Sequence, residues 1–466
     1  MRNAALRCLL PFLAALAVVA IAGSTAVSGA REKGAPLALT PPMGWNSWDS
    51  WGLTINEQQF RSSVTWFHNN LQRFSWQYVV VDEGWFLEHP EIAHPENGSA
   101  QLGYTMSNEG LYMPAVNRFP SAAGGKGFQP LADWVHSQGL KFGIHIIRGI
   151  PREAVRRNLK IAGSHFTAAE AADTSDTCEW NSDNYGLKNN KAAQAWYDSV
   201  AELYAHWGVD YLKVDCISRP WKADEIHMMQ EALHRTGRAI ALSLSPGPTP
   251  LDDAQDAVHS AQLWRISDDM WDLWTKPAGA PEFPQSLKNQ FALLAKWEQF
   301  AGPGHWPDAD MLPIGYLGPT PGWGQARQTR LTRDEVRTMM TLWSIARSPL
   351  FIGTNLLHMD SFTESVITSP ELIDVDQYSE NNHPLFEKGD IVVWTASSPQ
   401  HASDYFAIFN LSDAPQTVNY SLTELGEPFG HWAVRDLWER QDLGRVDHLE
   451  TTLPAHASKL FKVQLR

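Results

Sequence analysis

Eight short apolar runs punctuate the first three-quarters of this chain, and most are separated by stretches whose apolar residues recur at helical spacing. The runs are Met43–Trp48, Tyr78–Asp82, Lys141–Ile146, Asp210–Asp215, Ala239–Ser245, Leu263–Ser267, His305–Asp310 and Pro349–Thr354. The clearest intervening helices are expected over Asn56–Phe74, Pro130–Gln138, Lys191–Trp207, Lys222–Arg235, Pro284–Phe300 and Thr332–Ala346. Trp196, Val200, Leu203 and Trp207 show the helical period, and Thr332 with Glu335 forms a capping box. Strands that alternate with helices pair in parallel. Eight of them predict an α/β chain whose core is a (β/α)8 TIM barrel, with a doubly wound open sheet as the rival. After about residue 375 the pattern changes to short β-type runs with turn residues between them: Asp390–Ser397, Tyr405–Asn410, Thr417–Ser421, His431–Asp436 and Lys459–Gln464. These predict a C-terminal antiparallel β-sandwich. The expected division is a barrel over 31–375 and a sandwich over 376–466.

The first 30 residues read as a secretory signal peptide. Arg2 and Arg7 give a positive start, Cys8–Ala22 is uncharged and mostly apolar, and Ser28-Gly29-Ala30 offers a small-residue cleavage site. The alternative is an uncleaved anchor helix, but a spanning helix needs about 20 apolar residues. Cleavage implies a secreted or periplasmic protein with no membrane association. It also removes two arginines and no acids, so the net charge of −15 becomes more negative by two. Such a surface repels nucleic acid and anionic membrane, and it tolerates a neutral ligand such as a sugar. Cys178 and Cys216 remain, an even number in an exported chain. A single disulfide is expected from that count, with two buried thiols as the alternative.

Several barrel strands end in residues that a buried strand would not choose: Asp82 and Glu83, His145, Asp215, Ser245, Asp269 just past its strand, and Asp310. A lone acid at a strand end is usually a cap or a solvated turn. In a TIM barrel, however, these ends converge on one pocket, where so many acids would repel one another unless the chemistry uses them. Trp45, Trp48, Trp85, Trp264 and Trp306 lie near these acids in a chain with 21 tryptophans. A strand-end Trp is often plain core, but beside carboxylates its flat face also suits the C–H face of a sugar. Lys213 and Arg265 can fix hydroxyls by charge-assisted hydrogen bonds.

Glycoside hydrolysis needs two carboxylates with separate tasks. Lys213, two residues before Asp215 and on the same face of its strand, lowers that carboxyl's pKa and suits it to be the nucleophile. Asp269 adjoins Asp268, with Asp272 nearby; like charges raise a carboxyl's pKa, which suits a general acid. A metal-dependent hydrolase is the competing chemistry. The chain has no His-x-His near the first strand and no His-Glu-x-x-His, and His145 and His305 stand singly. No metal and no cofactor are therefore expected. Phosphate chemistry lacks its Gly-rich loop with Lys-Ser or Lys-Thr.

The barrel resembles glycoside hydrolase family 27, the α-galactosidase (melibiase) family. The matching strings run in the family's order: Pro-Pro-Met-Gly-Trp-Asn-Ser-Trp at 41–48, Val-Asp-Glu-Gly-Trp at 81–85, Lys-Phe-Gly-Ile-His at 141–145 and Trp-Gly-Val-Asp-Tyr-Leu-Lys-Val-Asp at 207–215. Trp-Arg-Ile-Ser-Asp-Asp at 264–269, Gly-Pro-Gly-His-Trp-Pro-Asp-Ala-Asp-Met-Leu at 302–312 and Ser-Pro-Leu-Phe-Ile-Gly at 348–353 complete the set. The resemblance implies a retaining exo-glycosidase that releases terminal α-D-galactose-type residues from an oligo- or polysaccharide. It places the nucleophile at Asp215 and the acid/base at Asp269 rather than Asp268. It puts Trp48, Asp82, Glu83, Lys213, Arg265 and Asp310 on or beside sugar-binding positions. Cys178 matches a cysteine that family members pair with one just after the nucleophile; Cys216 comes one residue earlier than usual.

Three departures bear on the sugar. The family's usual Asp-Asp pair is Asp82-Glu83 here, and the extra methylene could fill the space of a hydroxymethyl group, as in relatives that look like β-L-arabinopyranosidases. Ser245 stands where α-galactosidases usually carry a polar string that touches the 2-hydroxyl; it is smaller, as in the family's α-N-acetylgalactosaminidases, and could admit a larger 2-substituent. His145 replaces a usual Tyr, and Ile147 an acid. A rival of another class, a non-catalytic sugar-binding protein on the same barrel, would have lost one of the two acids. This sequence keeps both.

Overall fold

The computed structural model describes residues 37–92, 102–398, 400 and 402–464; the leader expected at 1–30 lies outside the described residues. Eight strands form one parallel sheet: β1 (Met43–Asn46), β2 (Tyr78–Val81), β3 (Lys141–Ile147), β4 (Tyr211–Asp215), β5 (Ala241–Leu244), β6 (Leu263–Arg265), β7 (Trp306–Asp308) and β8 (Leu350–Ile352). Their order is β7-β6-β5-β4-β3-β2-β1-β8. The remaining seam closes through Leu312, just past β7, which bridges Ile352 in parallel and donates its N–H to the Phe351 carbonyl at 2.7 Å. Each strand is followed by a helix: α1 (Glu57–Asn70), α2 (Gln129–Ser137), α3 (Lys191–Trp207), α4 (Ala223–Arg235), α5 (Ala254–Ser260), α6 (Leu287–Trp297), α7 (Arg333–Ala346) and α8 (Ser361–Ile367), with α9 (Pro370–Tyr378) ending the barrel. The expected (β/α)8 barrel is therefore present, and all eight expected strands fall within it.

The strands alternate in a way that builds the site. Val79, Val81, Leu212, Val214, Leu242 and Leu244 point outward into the core shared with the helices. The opposite set points into the lumen, where Tyr78, Val80, Tyr211, Leu263 and Phe351 pack together. The rings of Tyr211 and Phe351 lie 5.1 Å apart and those of Tyr78 and Tyr211 5.6 Å apart. A side chain at Gly44 would come within 2.7 Å of the Tyr78 carbonyl oxygen, so this plug needs a glycine there. The period of two then carries each row upward from plug to polar group: Tyr78, Val80, Asp82; Tyr211, Lys213, Asp215; Leu263, Arg265. The barrel is closed at the bottom by aromatic rings and opens at the top onto charge.

A long connection separates β3 from α3. It contains a small antiparallel sheet of Ile150–Pro151, Asn184–Leu187 and Ala172–Thr177, which the sequence pattern did not reveal. Arg148 fastens it: Nη2 donates to Asp176 Oδ1 at 2.7 Å, Nε to the Cys216 carbonyl at 2.6 Å, and Nη1 to Glu225. The Cys178–Cys216 disulfide, with Cα atoms 6.0 Å apart, ties the same connection to the end of β4. The expected disulfide is thus formed.

Beyond α9 the described residues form β-strands and their connections. Strands β9 (Glu380–Lys388), β10 (Ile391–Ser398), β11 (Ser403–Asn410), β12 (Gln416–Ser421), β13 (Trp432–Asp436), β14 (Gln441–Val446), β15 (His448–Leu453) and β16 (Ser458–Gln464) form two antiparallel sheets. One has the order β9-β10-β11-β16-β13-β14; the other pairs β12 with β15. Ile391, Val393, Phe406, Ile408, Phe461 and Val463 face the small sheet's Val418, Leu449 and Leu453. Their neighbours Val392, Trp394, Ala396, Tyr405, Ala407, Phe409 and Leu460 face the other way, into the core that contains α6 and α7. The sheet's central strands β10, β11 and β16 are buried on both faces, which explains why β10 and β11 read as nearly continuous apolar runs.

Candidate active site

The top of the barrel holds a pocket of about 310 Å³, lined among others by Trp48, Asp82, Glu83, Lys213, Asp215, Arg265, Asp269 and Asp310. Eight of the ten residues expected to act on the sugar thus share one cavity. His145 and Ser245 do not line it. His145 is buried behind Asp215, with Nε2 3.1 Å from Asp215 Oδ2. Its ring nitrogen thus meets the carboxylate rather than the pocket surface. Ser245 is also buried, and its hydroxyl has no hydrogen-bond partner among the described residues; its neighbour Pro246 forms the wall instead. The tryptophans divide in the same way. Trp45, Trp85, Trp264 and Trp306 are fully buried core residues, and of the five near the acids only Trp48 reaches the cavity.

The charges fall into two linked groups. Lys213 Nζ lies 3.0 Å from Asp82 Oδ2, which also accepts from Asn46 Nδ2 at 2.6 Å. Burial raises the Asp82 pKa, but Lys213, His145 and the Glu83 and Asn46 hydrogen bonds outweigh it and hold this carboxyl well below its usual range. Burial likewise works against charge on Lys213, but Asp82, Asp215 and Asp269 together keep it firmly protonated. On the far side, Arg265 Nη2 sits 2.6 Å from Asp310 Oδ2 and 3.2 Å from Asp269 Oδ1. Asp310 adopts φ +83°, and its carboxylate also accepts the Met270 N–H at 2.7 Å. Burial, with Asp269 and Asp308 adding to it against Arg265, pushes Asp310 up to about 7.

The two acids singled out in the sequence are pulled in opposite directions. Burial raises the Asp215 pKa, but the hydrogen bond and charge of His145, then Lys213 and the Cys216 N–H, bring it below its ordinary value. Burial raises Asp269 too; there Arg265 and Lys213 lose to burial together with Asp215 and Asp268, and the net shift is upward. One carboxyl is held ionised and its neighbour is held toward the protonated form.

Glu83 is the third carboxyl of note. Its Oε1 accepts from Asn181 Nδ2 at 2.8 Å, and its own N–H donates to Asp82 Oδ1 at 2.9 Å. Burial, opposed by His145 and reinforced by Asp215, Asp183 and Asp82, pushes it up to about 7. Sequence reasoning missed Asp49, Trp180, Arg219, Met270, Trp271 and Phe283 on the wall. Asp49 lies immediately after Trp48, and burial raises its carboxyl well above the usual range. Only its place beside the strand-end motif could have marked it.

The family model described as "Alpha galactosidase A" matches residues 190–378, and that of the "Alpha galactosidase C-terminal beta sandwich domain" matches residues 388–463. The β-L-arabinopyranosidase of glycoside hydrolase family 27 from Geobacillus stearothermophilus superposes with a TM-score of 0.86 at 44% identity, covering 92% of this chain and 97% of that one. The chain belongs to glycoside hydrolase family 27. The family 27 chain is also 27% identical to an α-galactosidase of Cyamopsis tetragonoloba, covering 91% of this chain and 86% of the relative. It is 28% identical to an α-N-acetylgalactosaminidase of Gallus gallus, over 86% and 87%. This family 27 protein is a glycosidase, and its six-stranded sheet and small sheet are the family's C-terminal β-sandwich.

Proposed function

We propose that this glycosidase is a retaining exo-enzyme for terminal sugars of galactose configuration, and that within that set it prefers β-L-arabinopyranosides to α-D-galactosides. The observation that carries the mechanism is the opposite tuning of Asp215 and Asp269 in one pocket. Asp215, ionised through His145 and Lys213, attacks the anomeric carbon. Asp269, held toward its protonated form, delivers a proton to the leaving oxygen. A covalent glycosyl-enzyme results, and Asp269, now a base, takes a proton from the water that releases the sugar. Asp82 with Lys213 on one side, and Asp310 with Arg265 on the other, offer oriented donors and acceptors to ring hydroxyls.

The sugar preference rests on Glu83. It reaches into the pocket one methylene further than an Asp would, and Asn181 holds it there. An arabinopyranose is a galactose without its hydroxymethyl arm, so a longer wall residue favours it. The arabinopyranosidase relative supports the same reading. The buried Ser245 gives no comparable support for a larger 2-substituent. The disulfide supports export to an oxidising compartment, and with it the removal of residues 1–30.

Two measurements test this. With aryl α-D-galactoside, β-L-arabinopyranoside and N-acetyl-α-D-galactosaminide compared at equal leaving group, the arabinopyranoside should show the highest kcat/KM. Proton NMR of the first product should show the anomer of the substrate. A first product of inverted configuration rules out Asp215 as nucleophile. Asp215→Ala should abolish turnover, whereas Asp269→Ala should retain activity only on substrates with very good leaving groups.

A further inference from the structure

The pocket wall beyond Asp269 is built from different residues than the floor. Trp180 and Phe283 are 43% and 41% exposed, unusual for large aromatic groups, and both line the cavity. Arg219 joins them: its guanidinium lies 5.6 Å from the Trp180 ring centroid, and Nη1 is 2.6 Å from Asp268 Oδ2 and 3.7 Å from Glu282 Oε2, beside Phe283. This rim is anchored to the segment that carries the acid. Asp268 Oδ1 accepts the Asp269 N–H at 2.8 Å, and the Gln285 N–H donates to the Asp269 carbonyl at 2.7 Å. Phe283 packs edge-on against Trp323 at 6.1 Å, and Trp323 lies 5.4 Å from Trp271, two residues past Asp269. On the other side, Trp180 is placed by the Cys178–Cys216 disulfide two residues away.

The proton donor must face the oxygen of the departing group, so that group leaves on the side of Asp269. Asp82, at the end of β2, stands across the eight-stranded barrel from β6, which leads into Asp269. We propose that Trp180, Arg219 and Phe283 form the leaving-group subsite, and that it takes a pyranose ring. The inference rests on the retaining mechanism proposed above, with Asp269 as its acid. Two half-exposed aromatic rings that line the cavity suit the C–H face of a sugar. An arene would share that apolar stacking, but the charged groups at the same level favour a ring with hydroxyls. Arg219 keeps donors beyond the one it gives Asp268, and Glu282 is a solvent-facing acceptor.

The test holds the terminal sugar constant and varies what it is attached to: methanol, phenol or a second pyranose. For Trp180→Ala and Phe283→Ala, kcat/KM on the disaccharide should fall about tenfold more than on the methyl glycoside, the scale of one lost ring stack. Inhibition by the free terminal sugar should weaken far less than disaccharide turnover. An equal loss on the methyl glycoside and the disaccharide overturns the proposal, as does no loss on either. A loss confined to the phenyl glycoside overturns the pyranose assignment. The sugar preference of the wild type is read separately, from different terminal sugars on one leaving group. If galactoside proves the better substrate, the same series on galactosides still decides the subsite.

Discussion

Shortening Glu83 to Asp is the sharpest perturbation of sugar choice that the pocket offers. The backbone at this position is pinned by the Glu83 N–H bond to Asp82 Oδ1, so the change acts mainly at the end of the side chain. Removing one methylene withdraws the carboxylate by about 1.5 Å. The bond from Asn181, 2.8 Å in the wild type, then lengthens to about 4 Å and is lost. Both substrates experience that loss, so it cancels in their ratio. What does not cancel is the space released, which only a hydroxymethyl arm can occupy. A methylene's worth of pocket discriminates by about 10- to 200-fold. Because a hydroxymethyl group has two heavy atoms and the substitution clears room for one, the low end applies. In Glu83→Asp, the kcat/KM ratio of aryl β-L-arabinopyranoside to aryl α-D-galactoside should fall about tenfold. Initial rates below KM for the two substrates, measured on the same preparation, give the ratio directly. A ratio within threefold of the wild-type value would falsify the argument from reach, even if both activities dropped.

His145→Ala should move the acidic limb of the kcat/KM profile to higher pH. Although burial raises the Asp215 pKa, His145 is the chief opposing influence, and without it the nucleophile stays protonated to a higher pH; an unmoved limb in a pH–rate series contradicts this role. Cys178→Ser opens a loop whose ends are 38 residues apart, and should cost about 4 kcal/mol of stability by the chain-entropy relation. A denaturant titration measures that loss, and an unchanged midpoint and slope would show that Arg148 and its partners hold the segment alone.

The barrel was legible because its strands are buried on both sides and its helices on one. Those are the patterns that survive in a single sequence, and the acids at the strand ends followed from them. The long connection after β3 was not legible. Its strand Ala172–Thr177 carries only small and polar residues and buries only Ala172, so no apolar period marks it. Asn181 and Trp180, which bear on Glu83 and on the pocket rim, come from that connection. Strands β9, β14 and β15 were also missed: β9 and β14 are sheet edges with largely exposed polar residues, β9 contains Pro384 and two register shifts, and β15 buries only Leu449 and Leu453. The tryptophans misled in the other direction. Four of the five near the acids complete the core, and Trp180, Trp271 and Phe283, further along the loops, meet the pocket. Proximity in sequence to a carboxylate says little about which way a ring points once the strand has ended.

The two-faced sheet of β10, β11 and β16 has a consequence for how such an enzyme can be shortened or recombined. Eleven of the fourteen residues of α7 are buried, many against that sheet's inner face. A gene cut ahead of Glu380 would strip the barrel of a wall and leave Trp343's helix and Phe291 facing water. What looks like a detachable appendage in the linear sequence is closer to a keystone. The smallest piece expected to fold is therefore the barrel and sandwich together, and even the loop that carries Phe283 to the pocket mouth belongs to that seam, since its 276–282 stretch lines one cavity with Phe386, Trp394 and Leu411 of the sandwich.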